Sequence, residues 1–290
     1  MIRCVIQAGF GNQLFQYATA YALARELNQP LELDCTFFDW YNRTHPDTAR
    51  NCAMELLALD GNHTIISSGV AKYWRYQPLL SLKFSYLPWY PGGLPVIRED
   101  ITDCRKDQRH LFRKIGKRGA VVFGFWQNTC YFDKYLSDLQ RQFKPAYILP
   151  YGMNELCDEV SGCESVGVHV RRGDFVKLGW DKSARYYRTA IAEMRLRVES
   201  PEFYIVSDDP DWCRHTFTDS DCRVLDIQSE NKDLDEFFLL SQCRHQIISE
   251  STFGWWAAYL NQNPDKIIAI PADAKGDIFN ALQNAFKISI

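Results

Sequence analysis

The stretch VGVHVRRGDF, residues 166–175, reads as a β-strand that ends in a charged turn. Val166, Val168 and Val170 alternate onto one face and place His169 and Arg171 together on the other. Arg172, Gly173 and Asp174 follow at the carboxyl end of the strand. Working outward, strands are predicted at 165–170, 203–206, 223–227, 246–249 and 266–270, with helical patterns between them. Such alternation implies a parallel sheet covered on both faces, a Rossmann-like domain whose ligands sit beyond the carboxyl ends of its strands.

The first half opens with the same rhythm. A strand at 2–7, a glycine turn at Gly9 and Gly11, a helix over about 12–28 and a strand at 31–34 make one βαβ unit. Leu14, Ala18, Tyr21, Ala22 and Arg25 support the helix, and Pro30 stops it. A chain of 290 residues is roughly twice the ~150-residue prior for one domain, and the proline-bearing segment 144–150 is the best linker. The expected domains are therefore 1–146 and 147–290.

Between residues 36 and 119 the pattern weakens. Aromatic clusters occur at Phe37, Phe38, Trp40 and Tyr41, at Tyr73, Trp74 and Tyr76, and at Trp89 and Tyr90. Sugars stack on such rings, although core packing is their commoner use. Arg105, Arg109, Arg113 and Lys117 recur every four residues, a spacing that predicts a solvated helix face or, more sharply, a surface for anionic lipid heads.

Composition narrows the class. Hydrophobic residues at 46% and charged residues at 24% provide for a real core. A net charge of −3 without a basic block argues against a nucleic-acid binder. The N-terminus lacks signal-peptide features and no run approaches ~20 apolar residues, so a cytoplasmic location is expected. Ten scattered cysteines without a CxxC pair read as reduced and mostly buried.

Three strand ends carry chemistry. An arginine fork at 171–172 suits a diphosphate, and an Arg–Asp pair closing a loop is the plain alternative. Ser207, Asp208 and Asp209 precede Pro210, where an acid serves a ribose or a metal, or simply caps a helix. In IISESTFGWWAAYL, residues 247–260, Glu250, Ser251 and Thr252 stand at a helix N-terminus, a phosphate site or a cap. HExxH and P-loop motifs do not occur. GFGNQL at 9–14, with Asp34 as acidic partner, is a truncated dinucleotide fingerprint in which Leu14 replaces the third glycine. That keeps a nicotinamide-dependent oxidoreductase as the alternative, with a non-catalytic carbohydrate-binding protein third.

Four blocks, GFGNQLFQYATAYALA at 9–24, GFWQNTCYF at 124–132, VHVRRGDF at 168–175 and FFLLSQCRHQIISESTFGWWAAYL at 237–260, resemble the bacterial alpha-1,2-fucosyltransferases of glycosyltransferase family 11. The resemblance implies an α/β fold of GT-B type, two Rossmann-like domains facing a central cleft. It implies an inverting transfer of fucose from GDP-fucose, with no metal and no cofactor, onto the 2-hydroxyl of a galactose-terminated oligosaccharide or lipid-linked glycan. Peripheral contact with the inner membrane face goes with the latter.

Carried onto this sequence, Arg171 contacts the diphosphate, His169 lies near the guanosine, and Ser251 and Thr252 hold phosphate oxygens. Arg172, Asp208 and Gly11 complete the donor set. Asn12 faces the fucose from the first domain, Gln13, Trp126 and Gln127 serve the acceptor, and Asp174 is a candidate general base or an orienting partner of the arginines. The sequence departs from the family pattern at Glu250 (commonly Asn), Gly254 (commonly Ser) and Ala8 (commonly Gly).

Overall fold

A computed structural model describes residues 1–46, 49–66, 89–90 and 94–290. Tyr73, Trp74 and Tyr76 lie outside the described residues, and only the backbone is described for Trp40, Trp89 and Tyr90. The chain divides into two units, Met1–Ala146 and Tyr147–Ile290.

In the first unit the apolar run after Met1 forms β1 (Ile2–Val5), followed by α1 (Phe10–Glu26), β2 (Leu31–Asp34), α2 (Thr36–Thr44), β3 (His63–Ile66), β4 (Trp89–Tyr90), β5 (Leu94–Arg98), β6 (Ala120–Phe123) and α3 (Leu136–Gln142). The strand order is β3-β2-β1-β6-β5-β4, parallel except for β4. Helix α1 is buried from Phe10 to Ala24 apart from Asn12. Its Leu, Phe, Tyr and Ala side chains surround the axis, the pattern of a helix that belongs inside a fold.

The second unit contains α4 (Met153–Gly162), β7 (Ser165–Val170), α5 (Gly173–Leu178), α6 (Ala184–Arg197), β8 (Glu202–Ser207), α7 (Pro210–Thr216), β9 (Cys222–Val224), α8 (Lys232–Gln242), β10 (His245–Ile247), α9 (Thr252–Leu260), β11 (Ile268–Pro271) and β12 (Ala285–Ile288). All six strands are parallel in the order β12-β11-β10-β7-β8-β9. The alternation read from β7 is physical: Val166, Val168 and Val170 join a core with Tyr186, Tyr187, Ala190 and Met194 of α6. His169, on the opposite face, stacks on Phe253 of α9. Both units are thus Rossmann-like α/β layers.

Several expectations are corrected. The basic stretch 105–117 is not an α-helix: Arg109–Lys114 forms a 3-10 helix, and Gly116 bridges to Gly119 just beyond it. Asp107 takes both the backbone amide and the guanidinium of Arg109, which tightens the turn and breaks the four-residue stripe. Cys35 and Cys52 are disulfide-bonded, with Cα atoms 6.1 Å apart, rather than reduced. Of the other eight cysteines only Cys4, Cys213 and Cys243 are buried. Gly11 lies inside α1, which begins two residues earlier than predicted. Strands β3, β5 and β12 carry too little alternation to be read in advance. No helix among the described residues is long and apolar enough to cross a membrane.

The C-terminus of α9 is closed by a buried amine. Lys266 Nζ donates to Ala258 O at 3.0 Å and Asn261 O at 2.7 Å, satisfying carbonyls that would otherwise be left unpaired. Replacing it by methionine should cost about 1–3 kcal/mol in urea unfolding. Burial lowers the Lys266 pKa from 10.5 to about 8. Between those values the unfolded chain holds the proton and the native one does not, so native stability gains with rising pH. The stability gap between the unaltered protein and Lys266→Met should therefore widen as pH rises above about 8; a constant gap would contradict this.

Candidate functional site

In the second sheet the chain leaves β7 for β8 on one side, while β10 pairs on the other. Loops that follow β7 and β10 therefore diverge, opening a crevice at the carboxyl ends of adjacent strands. The two strongest sequence motifs, at 171–174 and 249–252, are those loops.

Arg171 is held from two sides. Its Nη1 meets Asp208 Oδ2 at 2.7 Å, its Nη2 meets Asp174 Oδ1 at 2.6 Å, and its guanidinium lies 5.5 Å from the centre of the Phe175 ring. Arg172 is more enclosed. Its side chain contacts Asp209 at 2.9 Å and Asp181 at 3.3 Å and lies 4.1 Å above Trp212, while its backbone amide donates to Asp208 Oδ1 at 2.8 Å. Gly173 permits this: a Cβ there would sit 2.5 Å from Asp208 Oδ2.

The environments separate the roles of the two arginines. Arg172 is 16% exposed and fastens the turn to α7, whereas Arg171 is 30% exposed and presents its edge to solvent. Two guanidinium groups face four carboxylates, so the site is not a simple cationic patch. An incoming oxyanion must take over hydrogen bonds from a carboxylate, and Asp174, at 44% exposed against 26% for Asp208, is the one placed to yield. Asp209 caps α7 by accepting from Trp212 N, and its hydrogen bond from Arg172 holds its carboxyl below the usual range.

His169 is buried against Phe253, ring centres 4.8 Å apart. A Cβ at residue 254 would lie 2.9 Å from His169 Nδ1, so Gly254 is what admits the ring. Burial first, then the Arg171 charge, push the imidazole pKa down to about 3, and the ring is neutral at physiological pH. Its Nδ1 is buried without a partner among the described residues. Ser251 caps α9, its Oγ accepting from Phe253 N at 3.3 Å. Thr252 begins that helix and is partly exposed. Glu250 turns its carboxylate to the backbone amide of Lys275 at 3.1 Å, with Lys182 Nζ 3.9 Å away. A permanent cation beside a capped helix N-terminus is a chemistry suited to phosphate oxygens.

The first sheet has its own change of direction between β1 and β6. Asn12 Oδ1 accepts from Gln127 Nε2 at 2.9 Å, and Gln127 Oε1 accepts from Arg105 Nε at 3.3 Å. Gln13 and Trp126 are placed otherwise than the sequence suggested. Gln13, 1% exposed, spends its carboxamide on Ala8 O, Asn51 O and Ala53 N. Trp126 is fully buried against Phe112 and Tyr131. Both serve the scaffold here. Asp34, the acidic partner of the dinucleotide fingerprint, is likewise buried and accepts from Thr36 N and Oγ1 at the start of α2. Sequence reasoning missed Glu99, whose carboxylate accepts from the Phe125 and Trp126 amides. A lone acid in a weakly patterned segment gave no signal.

Comparison with known proteins gives a consistent picture. The family model described as Glycosyl transferase family 11 matches residues 108–289. An alpha-1,2-colitosyltransferase of Escherichia coli is 29% identical over 88% of this chain and 86% of its own length. Galactoside alpha-(1,2)-fucosyltransferase 1 of Aotus azarae is 40% identical over 74% of this chain and 69% of its own. The crystal structure of fucosyltransferase NodZ from Bradyrhizobium matches with a TM-score of 0.51 at 15% identity, covering 89% of this chain and 92% of that one, a likeness of fold alone.

The His169 environment is testable directly. Its ring proton resonances should not shift between about pH 5 and pH 8; a titration with a midpoint near the ordinary value of 6.5 would contradict the burial described.

Proposed function

This chain belongs to glycosyltransferase family 11, and from that premise we propose that it transfers L-fucose from GDP-fucose to the 2-hydroxyl of a galactoside, inverting the anomeric carbon and using no metal ion. The observation that carries the proposal is Arg171 at the β7/β10 change of direction, on the same crevice as the capped N-terminus of α9.

In this reading the acceptor oxygen attacks the fucose anomeric carbon as the bond to the β-phosphate oxygen breaks, converting a β-linked donor into an α-linked product, and the acceptor hydroxyl proton passes to solvent water. The bonding pair leaves with GDP, whose growing charge needs donors already in place. Arg171 supplies two parallel N–H groups once the diphosphate displaces Asp174. The α9 N-terminus with Ser251 and Thr252 supplies amides and hydroxyls. His169, neutral, offers a donor and an acceptor at the guanosine side without adding charge. Asp174 is assigned the role of placeholder on Arg171. Asn12 and Gln127 are assigned to the sugar side of the first unit.

Metal independence is supported by the donor set: Asp174, Asp181, Asp208 and Asp209 are each engaged by Arg171 or Arg172. Asp219, Asp221 and Cys222 lie close enough together to suit a cation, but they stand at the start of β9, and both acids pair with Arg195. The nicotinamide alternative loses support because Asp34 is committed to α2. The acceptor is a galactose-terminated oligosaccharide, free or lipid-linked.

Thermal unfolding in EDTA tests the donor. GDP at 100 times its dissociation constant should add ~2.7 kcal/mol of stability, and UDP or NADH at the same concentration should add little. Arg171→Ala should abolish the GDP shift and lower transfer ~100- to 1000-fold. A shift with NADH, or a GDP shift that survives the substitution, would contradict the assignment.

A further inference from the structure

Where β6 ends, the chain passes through Gly124, Phe125 and Trp126 before reaching Gln127, and this turn is held against its own preference. Trp126 has φ of +56°, in the left-handed region that a bulky L-residue enters at a cost of order 1–3 kcal/mol. Such a conformation persists only where its surroundings enforce it.

The enforcing group is a carboxylate. Glu99 directly follows β5, the strand beside β6, and is 2% exposed. Its Oε2 accepts from Phe125 N at 2.5 Å, and both its oxygens lie 2.9 Å from Trp126 N. The approach requires Gly124, because a Cβ there would sit 2.6 Å from Glu99 Oε2. Burying a carboxylate is expensive unless it is well bonded, and a loop that merely needed closing would be served by neutral partners. The residue delivered by this clamp is Gln127, whose carboxamide is set between Asn12 and Arg105 at the carboxyl edge of β1 and β6.

We propose that Glu99 is a positioning residue for acceptor binding: by gripping the Phe125 and Trp126 amides it fixes, beside Asn12, the Gln127 carboxamide that meets the acceptor sugar. The inference rests on the fucosyl-transfer reading and extends it to a residue outside the motif blocks. Burial raises the Glu99 pKa from 4.5 to about 7 although its two amide bonds pull the other way. Asp100, Cys104 and Tyr131 are the titratable groups that face it among the described residues. As pH falls through about 7 the carboxyl gains a proton, one oxygen stops accepting, and the grip on the turn loosens.

Steady-state transfer from GDP-fucose to lactose tests this with Glu99→Gln, Gln127→Ala and the double variant. Glu99→Gln should raise the lactose KM about tenfold, the factor carried by one hydrogen bond of ordinary net strength, and leave the GDP-fucose KM unchanged. The double variant should be no worse than Gln127→Ala alone, because Glu99 acts through that residue. In the unaltered protein the lactose KM should rise as pH falls through about 7, and in Gln127→Ala it should not.

An unchanged lactose KM in Glu99→Gln, an equal rise in both KM values, or multiplicative losses in the double variant would overturn the inference. Should Glu99→Gln fail to fold, a lactose KM in the unaltered protein that is flat across the same pH range would overturn it. An unaltered protein that transfers no fucose to any galactoside would instead sink the functional reading, and this inference with it.

Discussion

The ion pair between Arg171 and Asp208 joins the end of β7 to the end of β8, next to the β7/β10 change of direction of the second sheet. A partly exposed pair of this kind is worth about 0–1 kcal/mol to stability, too little to hold a fold of this size together. Its consequence is geometric. Asp208 also accepts the Arg172 backbone amide, so one carboxylate fixes both the path of the turn and the direction of the guanidinium that leaves it. Preorganised donors matter most where charge develops, and this pair sets the orientation of the Arg171 guanidinium in advance.

The first unit repeats the device with different residues. There Glu99, from the end of β5, accepts the amides of the turn that follows β6, and Gly124 makes room for it as Gly173 does for Asp208. In each case an acid at the end of a neighbouring strand grips the backbone of the turn next to the change of direction. A parallel sheet leaves those backbone amides without ladder partners just where its ligands bind, and a carboxylate satisfies them while defining the turn. The two acids differ in surroundings. Asp208 balances an arginine, whereas burial raises Glu99 into the neutral range.

Much of the second unit was legible because its signals are local. Alternating valines set the faces of β7, Pro210 at the first helical position marked α7, and Ser251 before an apolar helical run marked α9. The parts that escaped depend on partners distant in sequence. Cys35 and Cys52 are brought together by a loop that Gln13 also holds, which cysteine spacing alone does not reveal. Gln13 and Trp126 sit inside motif blocks yet face inward, since a motif conserves a turn's scaffold along with its chemistry. The four-residue spacing of Arg105, Arg109, Arg113 and Lys117 mimicked a helix face that the Asp107 turn prevents. Strands β3 and β5 are short and partly exposed, leaving little of the periodicity by which strands are recognised.

The turn after β7 and the start of α9 form the proposed donor site. A crystal structure of the protein with GDP tests it most directly. Bound GDP should place β-phosphate oxygens within ~3 Å of the Arg171 guanidinium and of the amides or hydroxyls at Ser251 and Thr252, with Asp174 displaced from Arg171. GDP bound instead at the Gly9–Asn12 turn of the first unit, with the Arg171–Asp174 pair intact, would contradict it.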